Sequence, residues 1–401
     1  MTSKYTYRKL GDEAALLRDD KISSISKVSK LVFDCDGVIV SDRNSYRQAI
    51  VRSVDHYFLR LMELRGNEGR LVTQEDIQKM KNTGAFNNDW ALTYTLIIYF
   101  LGLIIRRLPS EVTLNTSSEI PEVRNPGDIR ILSDKLRSIG ERSKQLGIDI
   151  EHLTRLKSDT IFGLKRLLGS ITGKTDISSL REIGLFLGLK DSELEAAKML
   201  CPFSVDKDDL LRRLFDEIYL GKALYAQFSG REPFFAFPEG LIDKEERIPS
   251  TETLERLKLR FGPSAMYSER PKMEAYYILQ KHRLLSYFDK EAMLFSEDIM
   301  KPSGSASSDS SWGKPDARAF VGLLKRFSRN DEIVAYVGDS VSDALMVMNA
   351  RSLDARELLF IGILSSSPSW ANLQREFMDL GAEVIVKDVN VIPTVFDRVG
   401  K

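Results

Sequence analysis

Two carboxylates one residue apart, Asp34 and Asp36, close the run Leu31-Val-Phe-Asp-Cys-Asp-Gly37. Gly37 supplies a permissive backbone for a tight exit. Lys30 aside, the stretch from Val28 to Phe33 is β-branched or aromatic enough for a buried strand. Acids at the carboxyl end of such a strand stand where an open α/β sheet binds ligands. A surface turn uses the same residue types, whereas a calcium loop does not fit, since its glycine comes sixth and its glutamate twelfth. Three further segments share the form. Ser268 follows Ala265-Met-Tyr267, Lys314-Pro-Asp316 precedes a helical stretch, and Val334-Ala-Tyr-Val-Gly338 opens onto Asp339-Ser-Val-Ser-Asp343. Gathered on one sheet edge, each pair among Asp34, Asp36, Asp339 and Asp343 at about 4 Å would repel by roughly 4 kcal/mol at an effective dielectric near 20. One lysine does not balance four acids. A divalent cation with oxygen ligands does, and Mg2+ suits a few carboxylates, waters and a substrate phosphate.

The elements that must position these groups follow from periodicity. Beyond Thr251 the chain alternates helix and strand: a helix over Thr251–Arg260, strand Ser264–Tyr267, helix Pro271–Arg283, a brief apolar piece at Ala292–Ser296, helix Asp316–Phe327, strand Ile333–Val337, helix Asp343–Ala350, strand Leu358–Leu364, helix Asn372–Leu380 and a last strand at Glu383–Val386. That alternation implies right-handed crossovers and a doubly wound, mainly parallel α/β sheet. Between Ser45 and Gln227 the pattern is helical instead. Apolar residues recur at three and four through Tyr46–Leu64, Ile129–Leu156 and Asp208–Leu220, as packing faces do. Prolines 109, 121 and 126 mark a loop from 109 to 127, and the Ser/Gly-rich tract 303–311 reads as a surface loop. Gly169-Ser-Ile-Thr-Gly-Lys-Thr175 nearly matches a phosphate-binding P-loop, but it has three residues between its glycines instead of four and follows a helical pattern.

Composition narrows the partners. At 401 residues, 43% apolar and 29% charged, the chain reads as a soluble globular protein of two or more domains. Lysine plus arginine equals aspartate plus glutamate at 58 each, so no charge excess points to nucleic acid or an anionic membrane. Cys35 and Cys201 are too few for a disulfide framework and fit a reducing compartment. His56, His152 and His282 each stand alone, which disfavours a histidine-rich zinc site. Residues 1–29 carry no apolar segment of the kind a signal peptide needs. Leu92–Ile105 is too short to span a membrane and reads as a buried helix. The expectation is a cytoplasmic protein with neither nucleic acid nor membrane as partner, its oligomeric state left open.

Asp-x-Asp-Gly-Val at Asp34–Val38, Ser268 after a strand, Lys314-Pro-Asp316 and Gly338-Asp-Ser-x-x-Asp343, in that order, resemble the four motifs of the haloacid dehalogenase (HAD) superfamily, specifically its phosphatases. The resemblance covers about 30–42 and 252 to the C-terminus. It implies a Rossmann-like core at 1–42 and 251–401, residues 1–29 being an N-terminal extension, with 43–250 as an enlarged helical cap. It also implies roles. Asp34 resembles the nucleophile that forms an aspartyl phosphate, and Asp36 the general acid and base. Ser268 and Lys314 would hold phosphoryl oxygens. Mg2+ would be bound by Asp34, the Asp36 carbonyl and Asp339, with Asp343 supporting it directly or through water. Asp36 argues against dehalogenation, since dehalogenases of this superfamily lack an acid there. Cys35 reads as a buried bystander.

Caps of this kind close over the site and select the leaving group. Within the insertion, Gly84-Ala-Phe-Asn-Asn-Asp-Trp90 is similar to the specificity loop of phosphoglycolate-phosphatase-like members, so Asn87, Asn88 and Asp89 are candidate substrate-binding residues. Any of the three would also serve as a helix cap. Arg270, in Ser-Glu-Arg-Pro, either contacts substrate or pairs with Glu269. The implied function is Mg2+-dependent hydrolysis of a small phosphorylated metabolite. A non-catalytic phosphate- or partner-binding scaffold and a phosphomutase are the alternatives on the same core.

Overall fold

The computed structural model describes residues 5–10, 13–81, 89–109, 126–170, 179–202, 210–299, 312–367 and 369–399. Asn87, Asn88, the tract 303–311 and most of the loop 109–127 lie outside them. The chain divides into two compact units, one made of Met1–Asp42 with Glu245–Lys401, the other of Arg43–Lys244.

In chain order the strands are β1 (Tyr5–Leu10), β2 (Glu13–Arg18), β3 (Val28–Phe33), β4 (Val40–Ser41), β5 (Glu246–Arg247), β6 (Ser264–Tyr267), β7 (Phe288–Leu294), β8 (Ile333–Gly338), β9 (Leu358–Ile363) and β10 (Val384–Val386). Eight form one sheet in the order β1-β2-β10-β9-β8-β3-β6-β7, and β4 with β5 form a separate antiparallel ribbon. From β10 to β7 every pairing is parallel. Strands buried on both faces read as continuous apolar runs, and β9, Leu-Leu-Phe-Ile-Gly-Ile, is buried throughout. Alternate side chains supply two cores. Leu31, Phe33, Val337 and Ile361 enter one, Val32, Tyr267, Tyr336 and Phe360 the other. Full burial of such a side chain is worth about 1.5–3 kcal/mol.

After β3 the chain lays β6 and β7 on one side and β8, β9 and β10 on the other. The strand order therefore reverses at β3, and the ligand crevice of a doubly wound sheet lies at that reversal, beyond the carboxyl ends. Register completes the placement. Phe33 pairs with Val337 of β8 and with Met266 of β6, so the residues just past each emerge on one edge.

β1 and β2, part of what reads in sequence as an extension, pair antiparallel, and β2 pairs in turn with β10. Ala15 and Leu17 are buried while Ala14 and Leu16, before and between them, are half-buried, and the Tyr5 hydroxyl donates to the Ala382 carbonyl at 2.8 Å.

In the second unit, helix Asp89–Ile105 is buried from Leu92 to Ile105 and packs against helices Tyr46–Asp55, Ser179–Leu187 and Asp191–Leu200. Among the described residues no helix is long and apolar enough to cross a membrane. The stripe over 129–156 is two helices, Pro126–Gln145 and Ile150–Lys157. Gly147 takes φ 70°, and Asp149 caps the second helix by accepting from the His152 amide at 2.7 Å. The helix expected over 208–220 is described from Leu210 and continues to Ser229, interrupted at Gly221. The stripe over 46–64 passes from helix Tyr46–Asp55 into a π-helical turn, His56–Leu61.

Candidate active site

The Asp34 amide donates to the Val337 carbonyl at 2.9 Å, extending the β3–β8 ladder by one residue before the chain turns. The Asp34 carboxylate then accepts the Cys35 amide at 2.7 Å on Oδ1 and the Lys314 ammonium at 2.7 Å on Oδ2. The Cys35 thiol is fully buried and burial pushes it well above its ordinary range, as a bystander would be. The turn demands glycine at 37. Its φ is 70°, and a Cβ built there would lie 2.5 Å from Cγ of Asp339.

Lys314 also reaches Oδ1 of Asp343 at 2.8 Å, and its Nζ lies 5.8 and 5.7 Å from the ring centroids of Tyr267 and Tyr336. Burial disfavours the ammonium, but Asp34 and Asp343 outweigh it and hold Lys314 charged well above its usual range. Asp343, wholly buried, opens helix Val341–Ala350 in a capping box: its amide donates to Ser340 Oγ, while its Oδ2 accepts the Ser340 amide at 3.1 Å and hydroxyl at 2.6 Å. The Tyr336 hydroxyl donates to Asp343 Oδ1 at 3.0 Å. Tyr336 escapes a reading of the sequence because on β8 it looks like any other core aromatic.

Asp34, Asp339 and Asp343 each present a carboxylate oxygen within 4.8 Å of the other two. Burial, reinforced by the neighbouring acids and opposed by Lys314, holds Asp34 well above its ordinary range. Burial first and Asp343 second push Asp339 up to about 7, against a hydrogen bond from Ser366. Acids this close hold protons unless a cation compensates them. This donor set, three hard carboxylate oxygens beside one lysine, fits Mg2+.

Ser268 is buried just past β6, and its Oγ accepts the Arg270 amide at 3.2 Å. Glu269 accepts the Lys314 amide at 2.8 Å. The Arg270 side chain is fully buried and meets two other carboxylates. Its Nη2 contacts Asp36 Oδ1 and its Nε lies 3.3 Å from Asp36 Oδ2, while Nη1 and Nη2 fork onto Glu245 at 2.7 and 3.0 Å. Glu245 gives little signal in sequence, being one glutamate in the charged run Asp243–Arg247.

In the second unit, Asp89 begins its helix and pairs with Lys81 at 2.9 Å. Trp90 donates its indole N–H to Asp216 at 3.0 Å beneath the Arg212 guanidinium. Both contacts anchor the helix start, and Asn87 and Asn88 lie outside the described residues.

No family model matches the chain. An imidazoleglycerol-phosphate dehydratase from Phytophthora nicotianae is 40% identical over 73 residues, 18% of this chain and 14% of that protein, so the chain spans a small part of that relative's length. An X-ray structure from the Northeast Structural Genomics Consortium covers 92% of this chain and 99% of its own at 17% identity, with a TM-score of 0.66. Phosphatase Tt82 from Thermococcus thioreducens is 20% identical, covering 82% and 91% with a TM-score of 0.45. The likeness at 0.66 extends over nearly the whole of both chains and shows a shared fold. The doubly wound, mainly parallel sheet with an inserted helical unit is the fold that the HAD resemblance implies.

Proposed function

We propose that this chain is a HAD-type phosphoric monoester hydrolase acting on a small phosphorylated metabolite, with Mg2+ as its metal. One observation carries the reading: Asp34 ends the central strand, is held by Lys314 at 2.7 Å, and lies in a cluster with Asp339 and Asp343 spanning at most 4.8 Å. Phosphoryl transfer needs mainly positioning and charge stabilisation, and these residues are suited to both. Asp34, Asp339 and the Asp36 carbonyl, with Asp343 directly or through water, would hold Mg2+, which neutralises phosphoryl oxygens when bound.

The chain's own groups account for the chemistry. An Asp34 oxygen forms a bond to phosphorus as the bond to the leaving oxygen breaks, and Asp36 gives that oxygen its proton. Water then attacks phosphorus, Asp36 takes a proton back, and Asp34 is released. Ser268, whose oxygen already accepts the Arg270 amide, has its hydroxyl proton for a phosphoryl oxygen. Lys314 offers the second charged donor. Asn87, Asn88 and Asp89 remain candidates for selecting the substrate. Phosphate release from a panel of phosphomonoesters, with and without Mg2+, tests the reading. The expectation is Mg2+-dependent turnover that Asp34→Asn abolishes; turnover indifferent to that substitution would sink it.

A further inference from the structure

The Arg270 side chain is fully buried and meets two carboxylates. Its planar fork lies edge to edge with Glu245, Nη1 to Oε2 at 2.7 Å and Nη2 to Oε1 at 3.0 Å, the bidentate arrangement that fixes a guanidinium in orientation as well as in place. The same Nη2 and the Nε meet the two oxygens of Asp36. Glu245 is itself held from two directions. Its side chain takes Arg270, which directly precedes Pro271 and helix Lys272–Lys281, and its carbonyl lies 3.0 Å from Nε2 of His282, at the far end of that helix. One short helix thus grips one glutamate at both ends.

We propose that Glu245 and Arg270 are positioning residues that aim the Asp36 carboxyl at the leaving oxygen, a role resting on the phosphatase reading above. The need for such an aim is geometric. Asp36 follows Asp34 by two residues on a chain already turning at Gly37, and its side chain is about 29% exposed, with both of its carboxylate oxygens on Arg270. A general acid must come within hydrogen-bond reach of the atom it protonates. Arg270, immobilised by Glu245, sets the Asp36 carboxylate plane through both of its oxygens. Glu245 also shares the guanidinium charge, so Asp36 is oriented without being matched to a whole cation of its own.

The test separates aim from folding. kcat/KM covers only steps up to departure of the leaving group, and the ratio of kcat/KM for two substrates on one preparation does not depend on how much protein is folded. Glu245→Gln, Arg270→Lys and Asp36→Asn are compared on the fastest alkyl monoester of the panel and on p-nitrophenyl phosphate, whose leaving group departs without a proton. The expectation is a fall of about 10- to 100-fold on the alkyl ester and less than about threefold on the aryl ester in all three variants. Equal losses on both substrates, or none, from Glu245→Gln and Arg270→Lys while Asp36→Asn discriminates, would overturn the positioning role alone. Turnover that persists in Asp34→Asn would instead overturn the phosphatase reading.

Discussion

Gly37→Ala isolates how closely the chain turn and the metal-binding cluster are fitted together. The substitution has two effects that a second glycine separates. Gly37 has φ 70°, where an L side chain costs roughly 1–2 kcal/mol. Gly262, at the end of helix Thr251–Phe261, has φ 75° with nothing within 4 Å of its would-be Cβ, so Gly262→Ala carries a positive-φ backbone cost with no new contact. At position 37 the new carbon stands 2.5 Å from Cγ of Asp339, against roughly 3.5–4.0 Å for carbons in contact. Ser366 Cβ lies 3.0 Å from the same built carbon and crowds the methyl further. The Asp339 carboxylate must therefore withdraw by roughly 1 Å, a large step in a cluster spanning 4.8 Å. Gly262→Ala should lose about 1–3 kcal/mol in urea denaturation, and Gly37→Ala at least as much, since it adds the contact with Asp339. Only Gly37→Ala should raise the Mg2+ concentration giving half-maximal turnover, by at least about tenfold, since a misplaced ligand is worth a kcal/mol or more. Mg2+ titration of phosphate release is the assay. Equal half-saturation in Gly37→Ala and wild type would refute the argument that Asp339 occupies the space the glycine leaves.

Two further outcomes follow from the same site. Asp339 is held near 7 when folded against about 3.9 unfolded, so between those values the folded state keeps a proton that the unfolded state has lost. In EDTA its contribution to stability is full below about pH 4 and falls as pH rises to about 7, by on the order of 4 kcal/mol. Mg2+ should flatten that decline, and denaturation midpoints from pH 5 to 8 that rise in EDTA, or that ignore Mg2+, would contradict it. Tyr336→Phe removes a hydroxyl whose single proton serves either Asp343 Oδ1 at 3.0 Å or the Tyr267 carbonyl at 3.2 Å; since Asp343 Oδ1 keeps Lys314 at 2.8 Å, the loss should be about 0.5–1.5 kcal/mol, and an unchanged midpoint would show the hydroxyl to be dispensable.

What the sequence discloses depends on how far apart the partners lie. Asp34, Ser268 and Asp339 are legible because each follows a strand whose apolar run announces itself, and parallel pairing brings strand ends to a common edge without any further information. The helix over 92–105 is legible from its apolarity, which only Thr93 and Thr95 interrupt. The N-terminal strand pair is not, because Ala14-Ala-Leu-Leu17 is a short apolar run between charges with no polar–apolar alternation, and the strand that it joins is β10, near the other end of the chain. Glu245 is hidden for a related reason: a carboxylate in a charged run looks solvated until its fork with Arg270, 25 residues on, buries both. The break at Gly147 was present in the sequence as a glycine but was masked by an apolar stripe that continues on both sides of it.

The β4–β5 ribbon gives the chain an economy of a different kind. Val40 pairs with Arg247 and Ser41 with Glu246, so the two points where the chain leaves and re-enters the sheet-bearing unit are hydrogen-bonded neighbours. To the sheet, everything from Arg43 to Lys244 is a single loop closed at its neck. Loop closure grows only logarithmically, each doubling of length adding about 0.6 kcal/mol. The length and internal design of that excursion can therefore drift widely through evolution at almost no thermodynamic penalty to the strands that carry Asp34, Ser268 and Asp339.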